Sequence, residues 1–232
     1  MRRSQRDTAF HESAHAVAHV FYPLAGGVMR LTIRGAELDA YNAKLHRVNR
    51  ARGLCTPKRT LPPVRNGIVV DPEALRHELL CLLAGEAADF VRDGHGPHRV
   101  SARAQARARR DLAHADEGDD LSRALNLLSA AHPFDERAAF ESIPEAERRS
   151  PAAWQPRVRL AAQAHQAEID AQLEALRRAA LAFVASRWPH VSAVADALLR
   201  QGTLEGDEVT EIIEGVEARL REGPPPLGWG KP

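Results

Sequence analysis

The stretch Thr8-Ala9-Phe10-His11-Glu12-Ser13-Ala14-His15-Ala16-Val17-Ala18 places two histidines four residues apart in a run of small and apolar residues. Such a run predicts a helix, and residues four apart on a helix lie on one face. His11 and His15 can therefore reach the same metal ion. The alternative for so short a pattern is an ordinary helix that carries two surface histidines.

Glu12 directly follows the first histidine and completes the pattern His-Glu-x-x-His. In zinc peptidases this pattern supplies two zinc ligands and a general base that takes a proton from a metal-bound water. Catalytic zinc usually has three protein ligands and one open position, so we expect a third ligand further along the chain. The densest acidic cluster, Asp116-Glu117-Gly118-Asp119-Asp120, is the candidate. Acids at a helix start also act as caps and interact with the helix dipole, which is the alternative interpretation of this cluster.

Four segments resemble, in the same order, segments of the FtsH-type ATP-dependent zinc metalloproteases. His11 to Ala16 is similar to their His-Glu-Ala-Gly-His-Ala core, and Leu83 to Phe90 is similar to their Leu-x-Gly-Arg-Ala-Ala-Glu-Glu segment. Asp120-Leu121-x-x-Ala124 resembles the Asn-Asp-Leu-x-x-Ala segment that supplies their third zinc ligand. Ala197-Leu198-Leu199, followed by Thr203 to Val209, resembles the closing signature of the family.

The resemblance implies that His11, His15 and Asp120 bind Zn²⁺ and that Glu12 is the general base. It places Asp89 where the family has a glutamate near the metal, so we expect Asp89 to orient a ligand histidine. The alternative for Asp89 is a carboxylate on the helix surface.

The chain departs from the family pattern at three places. Ser13-Ala14 replaces the usual Ala-Gly between the glutamate and the second histidine, and both residues are small enough for close packing. Asp119 replaces an asparagine, which leaves open whether Asp119 or Asp120 is the third ligand. The segment from Gly94 to Asp116 is longer than the corresponding loop of the family.

Two strands are expected near the metal helix. Residues 29–33 alternate apolar and polar side chains, which predicts a strand with one buried face. Residues 53–57 are a second, short strand candidate. The resemblance implies that this second strand is the sheet edge along which substrate lies, which makes Leu54, Cys55 and Thr56 the expected substrate-binding residues. A simple hairpin partner is the alternative.

The other patterns predict helices, so the fold class expected is mainly α with a small β-sheet. Asp71-Pro72 predicts a helix start, with Gly94 as its stop. Further helices are expected over residues 169–183, 191–199 and 207–220, with Pro189 and Gly202 as boundaries. The stretch from His132 to Pro156 is interrupted by prolines and mixed in charge, which predicts a loop or mobile excursion. The resemblance implies an FtsH-like peptidase domain, with the zinc helix beside the sheet and a C-terminal helical bundle.

The length of 232 residues is enough for a buried core. We expect one zinc peptidase-like domain over residues 1–222. Its metal-site half covers residues 1–130 and its C-terminal helices cover residues 157–222. The proline-rich residues 223–232 are expected to form a flexible tail.

Composition argues against several classes of partner. The 32 basic and 31 acidic residues nearly cancel, so no overall field favours nucleic acid or a membrane. An arginine stripe over residues 99–110 fits a solvated helix face better than a nucleic-acid site. Cys55 and Cys81 have no close partner in sequence, so no disulfide framework is expected. No signal peptide and no apolar segment of membrane-spanning length is evident, so we expect a cytoplasmic protein.

The function expected from these patterns is a zinc-dependent endopeptidase that cleaves unstructured polypeptides. The sequence has no Gly-x-x-x-x-Gly-Lys-Ser/Thr phosphate loop, so we expect a peptidase domain without the ATPase module or membrane anchor of the family. A separate unfoldase or adaptor would then deliver folded substrates. The alternative is a non-catalytic adaptor or regulatory protein that reuses the scaffold. Assembly into a homo-oligomer is left open.

Overall fold

A computed structural model describes residues 4–34, 38–39, 53–58, 63–65, 68–94 and 120–222. The predicted fold class is confirmed: the protein is mainly helical with a small antiparallel sheet. The helices are α1 (Gln5–Phe21), α2 (Pro72–Arg92), α3 (Asp120–Ala131), α4 (Glu136–Glu141), α5 (Glu145–Arg148), α6 (Pro151–Ser186), α7 (Trp188–Gln201) and α8 (Gly206–Glu222), and a 3₁₀ turn spans Pro23–Ala25. The strands are β1 (Val28–Thr32), β2 (Leu54–Pro57), β3 (Val64–Arg65), β4 (Ile68–Val69) and β5 (Thr203–Glu205).

The sheet has the order β2-β1-β5, and both pairs are antiparallel. Leu31 in the central strand β1 pairs with Cys55 in β2 and with Leu204 in β5. Leu31 and Leu204 are fully buried, so this face of the sheet contributes to the core. The two predicted strands are therefore present and paired. Strand β5 was not predicted, because three residues between two helices are too few to show an alternating pattern.

Helix α1 is the central element of the core. Ser4 caps it through a capping box, in which Ser4 Oγ accepts from the N–H of Asp7 and an Asp7 carboxylate oxygen accepts from the N–H of Ser4. Residues 8–19 are buried except Glu12, which is partly exposed. A helix buried on nearly all sides needs small residues where its neighbours approach, and α1 supplies Ala9, Ser13 and several further alanines.

Helices α2 and α7 pack directly against α1, and α6 packs against α2. Asp71 caps α2 and Pro72 occupies its first turn, as predicted. Apolar side chains from these four helices, from α8 and from the sheet form one core cluster. Helix α1 is therefore held from several directions, which fixes the positions of its side chains.

The prediction of a loop or mobile excursion from His132 to Pro156 is wrong. Helices α4 and α5 lie within this stretch, and α6 already begins at Pro151 and continues through Pro156. Pro151 stands at the first helical position, where no backbone N–H is needed. The Trp154 ring packs edge to face on Phe140, with centroids 5.2 Å apart, and so joins α4 to α6.

Later boundaries follow the sequence signals. Helix α6 ends at Ser186, and α7 begins at Trp188 with Pro189 in its first turn. Gly202 then ends α7 with a φ of 85°, a left-handed conformation that favours glycine. Within the residues described, no helix has both the length and the apolar character that a membrane span needs. The arginine stripe, the acids before Asp120 and the C-terminal tail lie outside the described residues.

Candidate metal centre

Three side chains from two helices converge on one point. His11 and His15 project from α1, and Asp120 is the first residue of α3. Nε2 of His15 lies 3.3 Å from Nε2 of His11 and 3.1 Å from Oδ2 of Asp120, and the same oxygen lies 3.4 Å from Nε2 of His11. His11 is 8% exposed and His15 is 7% exposed. The structure thus brings together the three residues predicted as metal ligands, as a group that could hold an ion.

The second nitrogen of each ring fixes the tautomer. Nδ1 of His15 lies 2.7 Å from the carbonyl oxygen of Cys81, and Nδ1 of His11 lies 3.2 Å from Oδ2 of Asp89. Carbonyl and carboxylate oxygens accept hydrogen bonds, so Nδ1 donates in both rings. A neutral imidazole that is protonated at Nδ1 has a lone pair at Nε2. In the neutral form of each ring, Nε2 therefore faces Asp120 with a lone pair.

A cluster of acceptors at this spacing fits a bound cation. Two lone pairs and a carboxylate oxygen repel one another, and a positive charge between them removes that repulsion. Ligand atoms that are 2.0–2.1 Å from a tetrahedral zinc ion stand about 3.3–3.4 Å apart. The three observed separations are 3.1, 3.3 and 3.4 Å. Two imidazoles and one carboxylate are also a donor set found at catalytic zinc.

Gly85 leaves the space that such an ion needs. It lies on α2 opposite the two histidines, and a Cβ atom at this position would stand 2.5 Å from Nε2 of His11 and closer still to Nε2 of His15. An ion bound to both nitrogens would lie about 2.0–2.1 Å from each. A methyl group at position 85 would therefore stand in or beside the volume of the ion.

Asp120 is held as an anion. Burial raises the pKa of its carboxyl group, but imidazoles that carry a proton at Nε2, His15 foremost, outweigh that effect and bring the pKa well below its usual range. Its second oxygen, Oδ1, lies 3.4 Å from Nη1 of Arg123. Arg123 is more than half exposed, so solvent screens this pair. An ionised carboxylate is the form that binds metal.

Asp89 makes the contact that the resemblance implied for it. Its carboxylate lies on α2, is 18% exposed and accepts the hydrogen bond from Nδ1 of His11. The carbonyl of Cys81, two turns earlier on the same helix, does the same for His15. Helix α2 therefore orients both rings by accepting the hydrogen bonds from their Nδ1 atoms. Contacts of this kind fix the tautomer and orientation of ligand histidines.

Glu12 lies on the side of α1 that faces β2. A Cβ atom at Gly53, just before β2, would clash with Cγ of Glu12 and would lie 2.8 Å from Oε1 of Glu12 and 2.8 Å from Cγ2 of Thr8. The chain can thus approach Glu12 closely only because position 53 has no side chain. The predicted general base therefore lies where α1 meets the start of the predicted substrate strand.

Strand β2 contains the predicted substrate-binding residues Leu54, Cys55 and Thr56, all partly buried. Among the strands described, β2 pairs with β1 alone, so it is an edge of the sheet. Side chains alternate along a strand, so Cys55 shares the face of its buried partner Leu31 while its neighbours face the other way. Burial raises the pKa of the Cys55 thiol well above its usual range, and the carboxylate of Glu12 raises it further. The thiol is therefore neutral, which argues against a cysteine nucleophile.

Sequence reasoning missed four features of the site. The roles of Gly85 and Gly53 depend on which side chains stand opposite them, and the carbonyl of Cys81 is a backbone group with no sequence signal. Arg92, which contacts Asp89, was also missed. Its spacing of three residues from Asp89 on a helix was the one available signal. Asp119 lies outside the described residues, and Asp120 supplies the converging oxygen.

Comparison with known proteins adds no assignment, because the chain matches no protein-family model and no curated protein.

Proposed function

We propose that the protein is a zinc-dependent endopeptidase that cleaves unstructured polypeptide segments. The observation that supports this most strongly is the convergence of two Nε2 lone pairs and one carboxylate oxygen within 3.4 Å, with both tautomers set by donation from Nδ1. His11, His15 and Asp120 would hold the ion. When bound, zinc supplies Lewis acidity, which polarises a carbonyl oxygen and lowers the pKa of water.

Glu12 supplies the proton transfers. It follows the ligand His11 in sequence and has its carboxylate beside Gly53, on the side of the helix where the sheet begins. In this role its carboxylate takes a proton from the attacking water and passes it to the amine that leaves. Cys55 lies nearby but does not act as the nucleophile, because burial keeps its thiol protonated.

The edge of β2 suits an extended substrate. An added strand uses the backbone hydrogen-bonding groups of a sheet edge, and such pairing requires a substrate without its own folded structure. Because Gly53 at the start of β2 touches Glu12, a peptide along this edge would pass the proposed base. Delivery of folded substrates by a separate unfoldase stays a prediction, and the oligomeric state stays open.

The test is a comparison of the wild type with Glu12→Gln, which keeps the size of the side chain and removes its basicity. Zinc content and cleavage of casein, an unstructured substrate, are measured for both. We expect the variant to bind zinc like the wild type and to lose activity by about 100-fold or more. Glu214→Gln, at an exposed glutamate of α8, is the matched control and should retain full activity.

A wild type that binds one zinc ion but cleaves neither casein nor a peptide library would refute the peptidase proposal and favour the non-catalytic adaptor. A preference for iron over zinc would also contradict it, because two histidines and one carboxylate can serve as an iron site in oxygenases.

A further inference from the structure

Arg92 links the start of the metal helix to the carboxylate that orients a ligand. Its Nη1 lies 3.2 Å from Oδ1 of Asp7 on α1 and 3.4 Å from Oδ1 of Asp89 on α2. Its Nη2 lies 3.1 Å from Oδ1 of Asp93. The guanidinium is therefore surrounded by three carboxylates, and one nitrogen bridges two of them.

The two oxygens of Asp89 have different partners. Oδ2 accepts from Nδ1 of His11, and Oδ1 faces Arg92. A carboxylate held at both oxygens cannot rotate without losing one contact. Asp7 is fixed as well, because its other oxygen accepts from the N–H of Ser4 in the capping box of α1. A continuous set of polar contacts thus runs from the helix cap through Arg92 and Asp89 to the ring of His11.

We infer that Arg92 is a positioning residue for the metal site: it holds the Asp89 carboxylate in the orientation that keeps His11 Nε2 directed at the ion. This inference rests on the proposed function only in its use of the metal site. It needs no peptidase activity. According to this inference, Arg92 contributes to the metal affinity although it is not a ligand.

The direction of the change in zinc affinity distinguishes this positioning role from a simple electrostatic effect. Arg92 carries a positive charge near the cation site, so removing that charge alone would strengthen cation binding. Loss of positioning would weaken it. Positioning should prevail, because three carboxylates surround the guanidinium and offset its charge at the ion, whereas the ring of His11 is directly held by Asp89.

Variants at this position should fold. Arg92 lines an open groove between α1, α2 and α7, together with Asp7, Phe10 and Trp188. Shortening its side chain therefore opens space to water and leaves no sealed cavity in the core. Arg92→Lys provides a conservative variant, because a single ammonium group can occupy the place where Nη1 now bridges two carboxylates.

The experiment is a double-mutant cycle in zinc affinity, measured by titrating zinc against a chromophoric chelator. We expect Arg92→Gln to weaken binding about five-fold, which corresponds to about 1 kcal/mol, and Arg92→Lys to restore most of that loss. In the Asp89→Asn background, where binding should already be about 10- to 100-fold weaker, Arg92→Gln should cause no further loss. Such non-additivity shows that the arginine acts through the aspartate.

Arg177→Gln is the matched control. Arg177 forms a comparable pair with Glu86 on the same helix, with Nη2 2.7 Å from Oε1, and joins α6 to α2. We expect this variant to lower the Tm and leave zinc affinity unchanged. If Arg177→Gln weakens zinc binding as much as Arg92→Gln does, the loss of zinc affinity comes from general destabilisation of the helix packing. That result would overturn the inference.

Three other results would also overturn it. Arg92→Gln could bind zinc as tightly as the wild type or more tightly, which would make the contact irrelevant or purely electrostatic. The same loss could appear with and without Asp89, which would mean a structural role. A wild type without zinc affinity would remove the metal site itself. A wild type that binds zinc and cleaves nothing would refute the peptidase proposal while leaving the cycle fully interpretable.

Discussion

Substitution of Gly85 by alanine tests the packing of the metal site in a way that separates two opposite effects. Gly85 lies inside α2, where alanine is favoured over glycine by about 1 kcal/mol. The added methyl group would lie 2.5 Å from Nε2 of His11 and 2.6 Å from Cε1 of the same ring. Ordinary contacts of a Cβ atom begin near 3.4 Å, so the overlap is about 1 Å, and overpacking costs about 1–3 kcal/mol.

The two effects can be measured in different states. Without metal the histidine rings can turn away from the methyl group only by weakening their Nδ1 contacts with Asp89 and Cys81, so the free energy of unfolding in a chelator should fall by about 0–2 kcal/mol. Bound metal requires the rings in place, so the overlap should appear in zinc affinity. We expect Gly85→Ala to weaken zinc binding about ten-fold or more, since about 1.4 kcal/mol corresponds to a factor of ten.

The assay combines chemical denaturation in a chelator with zinc titration. Gly215→Ala is the matched control, because Gly215 lies inside α8 and a Cβ atom there meets nothing within 4 Å. The control should stabilise the protein and leave zinc affinity unaltered. Unchanged or tighter zinc binding by Gly85→Ala would refute the placement of the ion opposite Gly85.

Three further predictions concern other parts of the protein. Gly53→Ala should lower the rate of casein cleavage and keep zinc affinity, because its methyl group would clash with Glu12. An equal loss of cleavage rate and zinc affinity would contradict this prediction. His190 is fully buried, and burial lowers its pKa below the ordinary 6.5 although Glu217 lies 3.1 Å away. Its contribution to the free energy of unfolding is therefore present above pH 6.5 and lost as the pH falls towards the lowered value, so denaturation profiles of His190→Gln should be flatter in that range than those of the wild type. Cys55 should react slowly with iodoacetamide at pH 8, because burial raises the pKa of its thiol; labelling at the rate of a free thiol would disprove this.

Much of the fold could be predicted because its elements carry local signals. Asp71-Pro72 is a helix start whose chemistry is visible in sequence, and Gly202 ends α7 in the left-handed conformation that glycine allows. The stretch up to Pro156 was predicted wrongly, because Pro151 stands at the first helical position, where proline is tolerated, while Pro156 lies inside a helix of 36 residues that continues past it. Strand β5 depends on pairing with β1 and has no independent pattern.

The candidate site likewise combines features that the sequence predicts with features that depend on packing. The spacing of His11 and His15 on a helix gives their common face, and resemblance was needed to select Asp120 at a distance of 105 residues from His15. The carbonyl that fixes His15 and the absent side chain at Gly85 are properties of the packing between two helices. Such contacts have no signature in a single sequence, because they exist only once α2 lies against α1.

The most direct test of the metal site is an anomalous difference map, recorded above and below the zinc edge, from a crystal of the protein grown with zinc. We predict a single strong peak per chain within bonding distance of Nε2 of His11, Nε2 of His15 and a carboxylate oxygen of Asp120. Absence of a peak between these three atoms, with zinc bound only at surface residues, would contradict the central claim.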